Sequence, residues 1–383
     1  MKRYLATVGS LIGPLCLIAS AAIADTPIAF RTDADLDDKL PWFQLVKGEF
    51  PPAGSAHYFA GELTKVDHLE RSFVLRVDRT DRQNRSHFDL PVAAKMLPFG
   101  SIYYHGAPAS LADIPLGTHL HGLFYVKDPS DETKPLEIFH NRRSYEVDFN
   151  RCFRIEDDFS FRERQSQLWQ VDEVNAEGKK LSVTLIEDGK AIGSPQSFDL
   201  TTTTRIWRGR SLASLDSLTP QEQIQFNITW ATLYGPGRIL EIWADEDSRK
   251  AASAYQKEKH QLYIRERGIP GWIDAVDNQE RILTITFFAG VDWDLFGDVL
   301  EGDQAGVAVA TESLLMFDPV NDRKRGPILN VMQVPVQPGS SGVQIQVKPD
   351  LLLEGFRPQR IVRVYPSRWP VVALPREEEL FGR

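Results

Sequence analysis

The stretch Ala109-Ser-Leu-Ala-Asp-Ile-Pro-Leu-Gly-Thr-His-Leu-His121 is echoed by Ala213-Ser-Leu-Asp-Ser-Leu-Thr-Pro-Gln-Glu-Gln-Ile-Gln225. The apolar positions keep one offset: Leu111 answers to Leu215, Ile114 to Leu218 and Leu120 to Ile224. Downstream, Leu136, Ile138 and Phe139 answer to Leu240, Ile242 and Trp243 at the same offset. Upstream, both copies carry Phe-Asp-Leu, at 88–90 and 198–200. Both then reach a glycine preceded two residues earlier by an aromatic, Tyr104 before Gly106 and Trp207 before Gly209. An offset that holds from Ala109 to Phe139 marks a structural repeat.

Further upstream each copy opens on an alternating run. Leu63-x-x-Val66-Asp67 leads to Phe73, Leu75 and Val77, and Val171-x-x-Val174-Asn175 leads to Leu181, Val183 and Leu185. A third copy reads Ile273-x-x-Val276-Asp277, then Leu283, Ile285 and Phe287. Apolar residues at every second position put one strand face in a core and the other in water. The Asp- or Asn-led gap between the runs is turn chemistry, so each unit is predicted to open with an antiparallel hairpin. The third copy also repeats the downstream motif, as Leu353-x-x-Phe356-x-Pro358-Gln359 against Leu215-x-x-Leu218-x-Pro220-Gln221. The first copy writes it Leu111-x-x-Ile114-Pro115-x-Gly117.

These signals predict a mainly-β chain of three tandem small barrels: unit 1 over 57–140, unit 2 over 167–245 and unit 3 over 269–366, the last enlarged by an insertion at 289–345. Closing each sheet removes its exposed edges. Residues 25–56 read as an irregular arm, with Trp42, Phe43 and Leu45 available to pin it. Residues 141–166 form a charged connector with a short helix near 158–165. Residues 246–268 form the one long connecting helix, ended by Gly268 and Pro270. Its apolar stripe (Ala251, Ala252, Tyr255, Leu262, Tyr263) is narrow, which predicts a surface position between units 2 and 3. The tail, 367–383, is acidic from Glu377 and is expected to be loose. The order of motifs resembles the OB-like barrel repeats of uncharacterised exported bacterial proteins. That resemblance implies fold and compartment and supplies no active-site motif.

The first 24 residues have the form of a secretory signal: basic Lys2 and Arg3, an apolar run, and Ala22-Ile23-Ala24 before Asp25. Pro14 and this cleavage pattern argue against a retained anchor, and Gly13-Pro14-Leu15 gives Cys16 no lipidation context. No later segment approaches the ~18 unbroken apolar residues of a membrane span. The expected location is periplasmic or extracellular. The formal charge of −9 becomes two units more negative without Lys2 and Arg3, which argues against nucleic acid or an anionic membrane as partner. Cys152 would then stand alone and reads as a small buried hydrophobe rather than a reactive thiol.

Four features are candidates for chemistry. His119 and His121 share one strand face and could reach one metal ion, with His105 as a third ligand. Their counterparts Gln223 and Gln225 favour a plain wet face instead. The run Asp292-Trp-Asp294-Leu-Phe-Gly297-Asp298, with Glu301 and Asp303, partly matches a calcium loop, but Phe296 stands where a ligand should be. Tyr104 and Trp207 are matched aromatics that either stack on a ligand or plug their barrels. Gly339-Ser340-Ser341-Gly342 lacks the lysine and helix of a phosphate cradle. No G-x-S-x-G or H-E-x-x-H is present, and no cofactor is implied. The favoured reading is a non-catalytic binding or scaffold protein of the bacterial envelope, recognising a protein or glycan. The alternatives are metal binding through His119 and His121, and a polysaccharide hydrolase with its site in 289–345.

Overall fold

The computed structural model describes residues 45–78, 91–126, 147–229, 236–316, 323–370 and 372–378. Trp42, Phe43, the first Phe-Asp-Leu and Leu136 to Phe139 lie outside these, as does the signal-like segment. Unit 1 contains β1 (His57–Asp67), β2 (Ser72–Val77), β3 (Val92–Tyr104), β4 (Ala107–Pro108), β5 (His119–Val126) and β6 (Val147–Asp157), so it runs past its expected end at 140 and its last strand lies in the expected 141–166 connector. Strand β1 pairs with β2 and β5, β2 pairs with β3, β5 with β6, and a parallel β3–β6 pairing closes the ring. Helix α1 (Asp158–Arg164) then leads to unit 2.

Unit 2 comprises β7 (Gln167–Asn175), β8 (Lys180–Glu187), β9 (Lys190–Asp199), β10 (Arg205–Arg208), β11 (Ser211–Ala213), β12 (Gln223–Ile228) and β13 (Ile239–Trp243). It repeats the topology of unit 1 with β9 and β10 sharing the role of β3: β8 pairs with β9, and β10 runs parallel to β13. The Asp199–Arg238 bridge carries the ring across the break.

Helix α2 (Glu246–Arg267) leads to unit 3, with β14 (Ile269–Asp277), β15 (Ile282–Phe288), β16 (Gln304–Val309), β17 (Lys324–Gln333), β18 (Ser340–Val347) and β19 (Ile361–Pro366). These form a closed barrel in the order β14-β15-β18-β17-β16-β19. Residues 289–345 are therefore no appendage. They supply β16, β17 and most of β18, and so build half of the barrel wall. Three small barrels in tandem is the architecture that the repeat predicts.

The repeat is visible hydrogen bond by hydrogen bond. In the opening hairpins Val66 faces Phe73, Val174 faces Leu181 and Val276 faces Leu283. The Asp67 carboxylate accepts the N–H groups of Leu69 and Glu70, and Asp277 does the same for Gln279 and Glu280. Asn175 accepts from Gly178. Each first strand is bulged at one matching place, between Leu63 and Lys65, Val171 and Glu173, and Ile273 and Ala275. A bulge raises local twist and lets a strand bend around a small barrel. Beside each bulge a left-handed residue donates its N–H inward: Gly117 to Leu63, Gln221 to Val171 and Gln359 to Ile273. Their φ angles are 90°, 74° and 68°, a region costing a non-glycine residue about 1–2 kcal/mol. Only unit 1 writes glycine there. The Leu-x-x-apolar motifs form one tight turn in each unit, with Ile114, Leu218 and Phe356 donating back to Leu111, Leu215 and Leu353.

The barrels pack on one another. Phe99, Leu123, Tyr125 and Phe153 on the outside of unit 1 meet Trp272, Phe288, Ile361 and Tyr365 of unit 3. Phe50 of the arm lies 4.2 Å from the Trp272 ring, and Leu45 packs against the same cluster. Strand β19 is consequently buried at all six residues, one face in its core and one in this seam. The tail is held as far as Glu378, whose carboxylate receives both Arg267 nitrogens at 2.7 Å. The expected looseness therefore does not begin at Glu377. Cys152 is buried in the core of unit 1, and burial pushes its thiol up.

Helix α2 has the predicted bounds, with Gly268 at φ 79° as its end, but its most buried face is not the expected apolar stripe. Tyr255 and Leu262 of the expected apolar stripe are exposed, while Ser248, Gln256, His260, Ile264 and Arg267 are buried. Polar contacts hold it: Ser253 Oγ donates to the His105 carbonyl at 2.6 Å, Gln256 to Asp113 at 3.1 Å, and Lys259 pairs with Asp113 at 2.6 Å. The helix thus touches unit 1 as well as the two units it connects. His260 has no partner for either ring nitrogen among the described residues, and burial lowers its pKa to about 4. A histidine kept neutral in the fold lets the unfolded chain gain protons first as the pH falls below ~6.5. Between pH 7 and pH 4, His260→Leu should abolish about 3 kcal/mol of the acid destabilisation of the parent protein, as read by urea melts at each pH.

Candidate functional site

Helix α1 begins on two consecutive buried carboxylates that point opposite ways. Asp157 caps the helix by accepting the Ser160 N–H at 2.9 Å. Its other oxygen accepts the His105 N–H at 3.2 Å from unit 1 and the Asn227 side-chain amide at 2.9 Å from unit 2. Asn227 in turn accepts the Phe159 N–H at 2.9 Å. Burial pushes the Asp157 carboxyl up to about 7 in spite of these donors. Unit 2 uses the same cap one helix later: Asp245 accepts from Ser248 at 2.7 Å and from the turn residue Gly209 at 3.1 Å.

Asp158 faces the histidines. One carboxylate oxygen accepts from His119 Nδ1 at 2.8 Å and from His121 Nε2 at 2.9 Å, and the other accepts the Ile228 N–H at 3.0 Å. His119 Nε2 reaches Asp78 at 2.8 Å, and the Tyr58 hydroxyl lies 2.7 Å from His121 Nδ1. Carboxylates only accept, so His119 donates from both nitrogens and carries a charge. His121 donates from Nε2 and accepts from Tyr58. Burial alone would lower the pKa of His119, but Asp78 and Asp158 together hold it well above the usual histidine value. Burial lowers that of His121. It would raise Asp158, whose two imidazole partners instead hold it far below the carboxylate range. Phe161 closes the site, its ring stacked 3.7 Å from His121.

The expected wet strand face is therefore wrong for both histidines, which are buried. The register shows why. Gln225 and Arg363 occupy the matching buried position in the other barrels, where they donate to the carbonyls of Gln167 and Gly268. His105 is no third ligand. It sits on the far side of α1 at φ 52°, with its ring 3.7 Å from Tyr104 and 4.6 Å from Trp243. Asp158 takes that place, and His119, His121 and Asp158 bring three ligand atoms within 4.8 Å of one another. A pair of acids opening a helix is a capping signal in sequence. Nothing local revealed that the second acid would meet a strand carrying histidines.

His105 instead lines a cavity of about 520 Å³ between the β3–β4 turn, unit 2 and α2. Its walls include Trp207, Trp243, Tyr255, Ala251 and Ala252, with Glu241, Arg210 and Glu258 as charged groups. The Trp207 indole N–H donates to Glu241, which also meets Arg205 at 3.3 Å. His105 Nε2 is buried without a partner among the described residues. The strand register pairs Trp207 with Tyr103 rather than Tyr104, since both follow an isoleucine set against an isoleucine of the parallel strand. Tyr104 is a core side chain of unit 1 and offers no exposed face. Trp207 does.

The acids of the calcium-like run do not converge. Asp292 caps a short 3₁₀ turn over Trp293–Asp298, in which Asp292 and Asp294 meet Lys257 at 3.5 and 2.8 Å and Asp298 accepts from Trp369 at 2.8 Å; Asp303, beyond the turn, meets Arg368 at 3.1 Å.

Asn227 joins the two units through both of its polar atoms. Asn227→Ala leaves the Phe159 N–H without its acceptor and removes a donor from Asp157. It should cost about 3 kcal/mol in urea unfolding followed by far-ultraviolet circular dichroism. No family model, no curated protein and no solved structure matches this chain.

Proposed function

We propose that this is an exported, non-catalytic binding or scaffold protein of the bacterial cell envelope, and that its partner is a glycan received in the Trp207 cleft. Export rests on the basic start, the apolar run and the Ala22-Ile23-Ala24 pattern. One observation carries the binding reading: a cavity of about 520 Å³ walled by Trp207, Trp243 and Tyr255 and edged by Glu241 and Glu258. Sites for small ligands are concave and mostly apolar, with a few placed polar groups. Flat aromatic faces beside carboxylates suit the alternating C–H and hydroxyl surfaces of a sugar ring. The cleft is set on strands and a helix rather than on free loops, which favours a preformed site. A hydrolase site in 289–345 finds less support, because those residues supply barrel wall and Asp292, Asp294, Asp298 and Asp303 meet Lys257, Arg265 or Arg368.

Two tryptophans in the wall supply the readout. Titration with soluble fragments of envelope glycans should give a saturable change in tryptophan fluorescence. Trp207→Ala should weaken binding about tenfold or more, in the range of a buried aromatic anchor, with the far-ultraviolet spectrum retained. Saturable binding of short peptides with none of any glycan would assign the cleft to a protein partner. Unchanged affinity in the Trp207→Ala protein would remove the cleft from the account.

A further inference from the structure

We propose that His119, His121 and Asp158 form a site for one divalent zinc-class cation that ties unit 1 to the start of α1. The donor set is two imidazole nitrogens and one carboxylate oxygen, all within 4.8 Å of one another and all on buried residues. That is the ligand chemistry of zinc and its neighbours rather than of calcium or magnesium. Each remaining donor atom is already oriented. His119 Nε2 is held by Asp78 at 2.8 Å, His121 Nδ1 by the Tyr58 hydroxyl at 2.7 Å, and the second oxygen of Asp158 by the Ile228 N–H at 3.0 Å. Ligating histidines are characteristically fixed in this way through their other nitrogen.

A second observation is independent of the geometry. The barrel does not need histidine at these positions. At the register of His121, unit 2 uses Gln225 and unit 3 uses Arg363, each bonded to a main-chain carbonyl. At the register of His119 they carry Gln223, which is exposed, and Ile361. Only unit 1 sets two imidazoles opposite a carboxylate. Entry of a dication displaces the proton on His119 Nδ1 and shifts the His121 proton from Nε2 to Nδ1, towards Tyr58.

The test uses tag-free full-length protein stripped by a chelator. Titration calorimetry with Zn²⁺ should show one equivalent bound, with a rise in melting temperature, and Co²⁺ should give the visible absorption of a nitrogen- and oxygen-bound ion. His121→Gln, which copies unit 2, should abolish the one-equivalent binding. Asp78→Asn, which touches no cation, should weaken it about 10–100-fold. His68→Gln, a histidine remote from the cluster, should change neither. No saturable Zn²⁺ or Co²⁺ binding to the parent protein overturns the proposal whatever the variants do, and so does binding that survives His121→Gln. A sugar titration of the stripped protein tests the Trp207 cleft separately, so the two readings stand or fall apart.

Discussion

Two adjacent carboxylates hold the first turn of α1, and the arrangement of the first two barrels depends on them. Asp157 and Asp158 are both buried, and burying unpaired charge would cost several kcal/mol per ion. Each is therefore surrounded by donors from different parts of the chain: a turn amide of unit 1, an asparagine and an amide of unit 2, and two imidazoles. The desolvation cost makes this a constraint rather than a decoration. If either barrel moves, a buried carboxylate loses a partner, so only one mutual placement satisfies both. Glu156 adds to the lock with Arg154 at 2.8 Å and Arg164 at 2.6 Å.

The same turn separates two sites of different character. On one side lie the charged, closed cluster of His119, His121 and Asp158 and the ring of Phe161. On the other lies the open aromatic cleft, whose floor includes His105 and Trp243. Phe159 stands between them, 4.8 Å from Trp243 and 5.8 Å from His105. Asp157 is bonded to the His105 backbone, so the position of the cleft wall is tied to the same helix start that the histidines hold. A rigid junction of this kind lets repeated barrels, unremarkable singly, present a concave surface where they meet.

Much of the architecture could be read in sequence because it repeats. The Asp67, Asn175 and Asp277 turns, the alternating strands that follow them and the Leu-x-x-apolar turns are local features with local causes, and all lie where the spacing puts them. The bounds of α2 were also legible, through its run of helix-forming residues and the Gly268 and Pro270 that end it. Its orientation was not, because the buried face is polar and burial by hydrogen bonds leaves no hydrophobic stripe. Residues 289–345 were set apart for a related reason: β16 takes the place beside β19 that β6 takes beside β5, but earlier in the chain, and β17 is an added strand, so a repeat-based reading set aside what is barrel wall. The sites were least legible. His119 and His121 stood out, but Asp158, Asp78 and Tyr58 are joined to them only by the fold, Trp243 is set beside Trp207 by the parallel β10–β13 pairing, and Tyr255 joins them only when α2 docks. The pairing of Tyr104 with Trp207 came from counting back to glycine. The ladder, which counts from the preceding isoleucines, chooses Tyr103.

The central claim is that the α1 start is a structural lock rather than a chance contact. Native-state hydrogen exchange of the Phe159, Ser160 and Ile228 amides tests it most directly. These three donate to Asn227, Asp157 and Asp158. If the lock holds, they exchange only through global unfolding, with the same free energy and denaturant dependence as the barrel-core amides of Leu63 and Val171. Exchange of the three through a low-energy local opening, with those core amides still protected, would contradict the account.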